Sequence, residues 1–119
     1  MKNNILKTHF FNPKNIGTIT KPTHSSIAKS DTCNDLVKMT VDIQDNIIQD
    51  IKVEIFGCGY SIAGASYFTE IAKGKKTDEI ERIADQKFAP ILDEIPEKHK
   101  TCVLLSNAAF KKIIDELLL

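Results

Sequence analysis

Neither sign of charge prevails in this chain of 119 residues: sixteen lysines and arginines stand against sixteen aspartates and glutamates. A partner held mainly by electrostatics, nucleic acid above all, is therefore not expected. No apolar stretch approaches the roughly 20 residues that a bilayer span requires, so no membrane partner is expected either. Met1 to Phe10 lacks the long apolar core of a secretory signal, which points to a cytoplasmic location. Low-complexity runs are missing too, and with 42% hydrophobic and 27% charged residues the composition is that of an ordinary globular chain. Its length suits one domain, residues 1–119. Cysteine is scarce and odd in number. Cys33, Cys58 and Cys102 cannot all pair within one chain, which favours free thiols or metal ligands over a disulfide framework.

The patterning predicts an α+β fold. Asn12 to Gly17 is rich in turn formers and should be a loop after a short N-terminal helix. Residues 18–32 suggest an irregular or edge strand. Residues 37–43 alternate apolar and polar, and Ile47, Ile51, Val53 and Ile55 continue the period beyond the polar Gln44-Asp45-Asn46. That is a β-hairpin, 37–43 with 47–55, with one face buried. From Tyr60 small residues mix with Tyr67, Phe68 and Ile71, and Lys73-Gly74 closes the run as a helix end does. Thr77 before Asp78 and Glu79 reads as a capped helix start, leading to one short helix or a pair before Pro96. Leu105, Ala109, Ile113 and Leu117 mark an amphipathic terminal helix. The expected architecture is a small antiparallel sheet with helices packed on one face.

On this map the cysteines gather at element ends. Cys33 precedes the hairpin, Cys58 follows it between Gly57 and Gly59, and Cys102 opens the terminal helix. A hairpin brings the start of its first strand beside the end of its second, so Cys33 and Cys58 are expected neighbours. Asn34, Gly57 and Gly59 tolerate positive φ, which lets backbone fold tightly around a ligand. A helix N-terminus favours the thiolate, the form that binds metals. Asp35 adds a hard oxygen donor, and three thiolates with one harder ligand suit zinc or a labile iron–sulfur cluster. The plainer reading, three buried apolar thiols, stays open, because single cysteines so far apart match no short zinc-finger spacing.

Local strings add a resemblance. His9-Phe10-Phe11-Asn12-Pro13-Lys14-Asn15-Ile16-Gly17 is similar to the N-terminal signature of the NifU/IscU-type iron–sulfur cluster assembly scaffolds. Thr32-Cys33-Asn34-Asp35 resembles their Cys-Gly-Asp motif, and Phe56 to Ala63 resembles their Gly-Cys-Gly-x-x-Ile-Ala motif. Ile95-Pro96 to Cys102 corresponds to the third cysteine region. The likeness covers about residues 8–115 in order. It implies a SufE/IscU-like fold and a scaffold, not an enzyme, on which Cys33, Cys58 and Cys102 hold a transient [2Fe–2S] cluster with Asp35, zinc being a substitute for iron. It implies a cysteine desulfurase as sulfur donor, Cys102 as persulfide acceptor, and apo-proteins as recipients, with the protein a monomer or a homodimer.

Departures from the family pattern matter. Asn34 stands for glycine, and Thr101 stands where many members carry histidine, which leaves Asp35 as the expected fourth ligand. His99, three residues before Cys102, is a second candidate, although its flanking lysines read first as a solvated face. Residues 95–100 do not reproduce the Leu-Pro-Pro-Val-Lys segment read by a dedicated Hsp70 chaperone, so that partner and its J-protein do not carry over. His9 and His24 read as surface or hydrogen-bonding residues, and Phe10 and Phe11 as core or self-association contacts. Two other functions fit the same residues: a zinc-dependent sulfur acceptor resembling the SufU branch, and a structural zinc domain.

Overall fold

The computed structural model describes residues 1–32 and 34–118, so Cys33 and Leu119 lie outside the described residues. The elements run α1 (Asn4–Phe11), β1 (His24–Lys29), β2 (Leu36–Gln44), β3 (Ile47–Phe56), α2 (Gly59–Ala72), α3 (Thr77–Leu92), a 3-10 turn (Glu97–His99), α4 (Lys100–Val103) and α5 (Leu105–Leu117). The three strands form one antiparallel sheet in the order β1-β2-β3, with β1 as the edge strand. This is the expected α+β architecture.

The hairpin turn is tighter than the polar tripeptide suggests. Gln44 pairs with Ile47, and only Asp45 (φ 54°) and Asn46 (φ 62°) make the turn. Two consecutive left-handed residues are the geometry that matches strand twist in a two-residue hairpin, and Asp and Asn tolerate it. The register then shifts at Asp42/Ile43: Asp42 pairs with Asp50 but Ile43 with Ile48, which leaves Gln49 without a partner. This bulge moves Ile48, not the expected Ile47, into the core. Beyond it Ile51 and Val53 point inward beside Val37, Met39 and Val41, as alternation requires.

Thr40, expected on the outer face, is buried as well. The chain before β1 covers it: its hydroxyl oxygen accepts the Ile19 N–H at 3.0 Å. That same segment closes the outer edge of β3, where Gly17 N–H donates to Val53 and Val53 N–H donates to Asn15.

Helix α2 is the central rod, packed on β3, α1, α4 and α5. Its small residues serve close approach. A side chain at Gly64 would overlap the carbonyl oxygen of Val103, so α4 crosses α2 with backbone in contact. Phe68, Phe88 and Phe110 fill the space between α2, α3 and α5. The helix ends where expected, and Gly74 takes φ 82° just beyond.

The C-terminal half is segmented differently from the pattern. Residues 77–92 form a single sixteen-residue helix with Lys76, not Thr77, at the N-cap, and no side chain caps it. The terminal helix begins at Leu105, one residue beyond a break at Leu104 (φ −93°, ψ 7°), so Cys102 belongs to the separate short turn α4. Leu105, Ala109, Phe110 and Ile113 of α5 are buried as their spacing predicts.

Candidate metal centre

Cys58 is the N-cap residue of α2, directly after β3. Hairpin geometry places the start of β2 beside it, and Leu36 pairs with Phe56. Asp35 therefore sits beneath the first turn of α2. One carboxylate oxygen, Oδ2, accepts the Cys58 N–H at 3.3 Å and the hydroxyl of Ser61. The residue is only 5% exposed. Burial pushes the Asp35 carboxyl up. The Ser61 hydroxyl, the Cys58 N–H and thiol, and the charge of His99 outweigh that and hold it below its ordinary value. An anion at a helix N-terminus is also favoured by the peptide dipoles.

The flanking glycines have a steric role. Asn34 has the positive φ expected of it, 57°. Gly57 and Gly59 do not adopt positive φ. A side chain at Gly57 would run into the Asp35 carboxylate, within 2.7 Å of Oδ2, and one at Gly59 would lie 2.9 Å from the Phe10 ring. Glycine is needed here for space around the carboxylate and the aromatic ring.

Helix α4 brings a second cysteine sulfur. Donor atoms of Cys58, His99 and Cys102 all lie within 4.8 Å of one another, Cys102 fully buried and the other two half-buried. The His99 ring stacks on Tyr60 of α2, centroids 4.2 Å apart and planes at 15°. Its Nδ1 is buried and has no hydrogen-bond partner among the described residues. A buried imidazole nitrogen left unpaired is costly unless something binds it, and a donor nitrogen of the same ring lies close to two sulfurs. Sulfur and imidazole together suit zinc and iron.

The expected site residues thus divide. Cys58, Cys102 and the second candidate His99 are brought together. Asp35 adjoins them but is not part of that close group. Cys33 lies outside the described residues. Phe10 and Phe11 are exposed, 39% and 81%, so neither is core. His9 is buried at the α1–α2 contact, its Nδ1 2.6 Å from Ser66 Oγ. Sequence reasoning passed over Ser61 and Tyr60. The signal is their place in the first helical turn after Cys58, where side chains turn back toward the helix start.

A small α+β fold that gathers a cysteine–histidine cluster where a hairpin meets two helix starts has the donor chemistry that could hold a metal ion. Comparison with known proteins gives the family. The family described as the NifU-like N-terminal domain matches residues 1–117, and this chain belongs to it. An iron-sulfur cluster assembly scaffold protein IscU of Archaeoglobus fulgidus is 35% identical over 106 residues, covering 89% of this chain and 69% of that protein. The iron-sulfur cluster assembly protein IscU of Plasmodium falciparum is 37% identical over 112 residues, 92% and 68% of the two chains. Among solved structures, a nitrogen-fixing NifU-like protein (N-terminal) from Brucella abortus superposes with a TM-score of 0.79 at 20% identity, over 95% of this chain and 91% of that one. A SUF-system scaffold, SufU, of Fervidobacterium islandicum AW-1 gives 0.71 at 20% identity over 92% and 93%. Those two likenesses concern the fold. No helix among the described residues is long and apolar enough to cross a membrane, and some relatives are named as mitochondrial.

Proposed function

We propose that this protein is a scaffold on which a transient [2Fe–2S] cluster is built from iron and desulfurase-derived sulfur and then passed to apo-proteins. The carrying observation is the convergence of Cys58, His99 and Cys102 donor atoms within 4.8 Å, in a chain whose relatives are named as cluster assembly scaffolds. The ligands would be Cys33, Cys58 and Cys102, with His99 in the place left by Thr101 and Asp35 beside them. The unpaired His99 Nδ1 supports that fit. The cluster is cargo, so a ligand set of thiolates and one imidazole, partly open to solvent at Cys58, suits release better than four thiolates.

Sulfur would arrive as a persulfide on the desulfurase. A Cys102 thiolate attacks the outer sulfur, the partner's S–S bond breaks, and the partner cysteine leaves as thiolate while the new S–S bond forms on Cys102. Cys102 has no exposed surface, so sulfur would reach it only once the short turn α4 moves aside. Half-exposed Cys58 is the side from which cargo is reached.

The test is to mix the protein anaerobically with a desulfurase, cysteine and ferrous iron. The absorption of a [2Fe–2S] centre is the expected result, and its absence would contradict the proposal. A second reading, a zinc-dependent sulfur acceptor, is favoured by the same cysteine–histidine donor set, which zinc also takes. It predicts that the zinc form stimulates the desulfurase strongly while no cluster appears.

A further inference from the structure

The function proposed above leaves Ser61 without a task, although its side chain lies at the centre of the site. Ser61 is 1% exposed. Its hydroxyl donates to Asp35 Oδ2, and its oxygen lies 3.9 Å from the Cys58 sulfur. A serine hydroxyl has one proton to give. The carboxylate is the better acceptor, so the hydroxyl proton points to Asp35 and the Ser61 oxygen turns its lone pairs toward the Cys58 thiol. The same Oδ2 takes the Cys58 N–H, at 3.3 Å. One carboxylate oxygen is thus held by two donors of a single helical turn, in a space that only a glycine at position 57 leaves free.

This matters because two harder donors compete for one place beside the thiols. Asp35 is anionic and adjacent. His99 is already within the close group, with its ring set by the stack on Tyr60. A free carboxylate would be drawn to a metal held by the thiols. A carboxylate tied to the start of α2 instead orients Cys58 from behind, as partners one step removed from a metal commonly do.

We propose that Ser61 is a positioning residue that holds the Asp35 carboxylate out of the metal's ligand set and so leaves His99 as the non-thiolate ligand. This rests on the reading that the thiols and His99 bind metal. Loss of the hydroxyl removes one of the groups holding the Asp35 carboxylate and leaves it, among the described residues, the long bond from the Cys58 amide and the Cys58 thiol, a buried and less fully paired charge. The metal is then its best available partner, and an oxygen ligand at a thiolate site gives a more labile cargo.

The experiment uses the whole chain loaded with Co(II), whose visible bands report ligand type and number. Ser61→Ala is expected to shift and weaken these bands as oxygen enters, and to speed cluster transfer to an apo-ferredoxin roughly tenfold, the scale typical of such partners. Asp35→Ala and the double variant Asp35→Ala/Ser61→Ala are expected to keep the wild-type bands, because the carboxylate is not a ligand to begin with. Wild-type bands in Ser61→Ala, or altered bands in either variant lacking Asp35, would overturn the proposal. Should Ser61→Ala fail to fold, the Asp35→Ala spectrum alone decides. Failure of the wild-type chain to bind cobalt would instead count against the metal site itself, and this proposal would fall with it.

Discussion

The two halves of helix α2 are built on opposite terms. From Gly64 to Ala72 the helix is enclosed, and its polar groups are matched. Ser66 Oγ takes the Lys14 N–H at 2.7 Å and contacts His9, while Thr69 donates to the Ser66 carbonyl and accepts from Asn15. From Cys58 to Tyr60 the helix start is half open. Phe56 is 64% exposed just before it, and an imidazole nitrogen beside it is buried without a partner. The first half specifies the fold. The second sets Cys58 beside His99, whose buried Nδ1 has no hydrogen-bond partner among the described residues. Stability and function are therefore separable along a single helix, and substitutions can test how cleanly.

Phe68→Ala should have the largest effect on stability. The ring is fully buried against Phe110, and removing such a group costs about 3–5 kcal/mol. Urea denaturation should show that loss, while the molecules that remain folded bind Co(II) with unchanged bands. Gly64→Ala comes next, at about 1–3 kcal/mol, since an added methyl must push back the Val103 carbonyl. It is the one change expected to cross the divide, because moving Val103 moves its neighbour Cys102. Titration with cobalt should show weakened binding together with the lowered urea midpoint.

A smaller effect follows pH. Burial lowers the His9 pKa below its usual 6.5 and Lys14 adds to this, against Glu70, which raises it. The folded state thus disfavours the charged ring. The corresponding stability is complete above the unfolded value of 6.5 and is lost as pH falls through the folded pKa. Urea midpoints followed from about pH 8 to about pH 5 should decline, and the decline should flatten in His9→Gln. At the bottom of the scale lies Glu97→Ala. It removes an exposed 2.9 Å ion pair with Lys100 and should change stability by less than about 0.5 kcal/mol.

The same divide governs what could be read from the sequence. The hairpin, the end of α2 at Lys73-Gly74 and the inward face of α5 follow from periods of two and 3.6, which are local properties. The bulge that exchanges Ile47 for Ile48 is not local, since it depends on which residue of β2 each one meets. Nor is the burial of Thr40, which results from a distant segment lying over it. In the site, the gathering of Cys58 and Cys102 could be anticipated from their positions at element ends. His99 was harder to weigh, because its lysine neighbours describe a solvated surface while its ring turns inward onto Tyr60. The break at Leu104 makes this orientation consistent with a continuous chain, and helical periodicity gives no hint of it. Gly57 was marked for its conformational freedom but is needed for the space it leaves to Asp35.

On the proposed function, donor atoms at the open start of α2 bind cargo without holding the fold together. The most direct measurement is iron and acid-labile sulfide bound by Cys58→Ala after anaerobic reconstitution, taken with its stability to urea. The expected result is a stability within about 0.5 kcal/mol of the wild type, as for a change outside the packed core, and no [2Fe–2S] absorption. A Cys58→Ala protein that carries the same cluster as the wild type would contradict it.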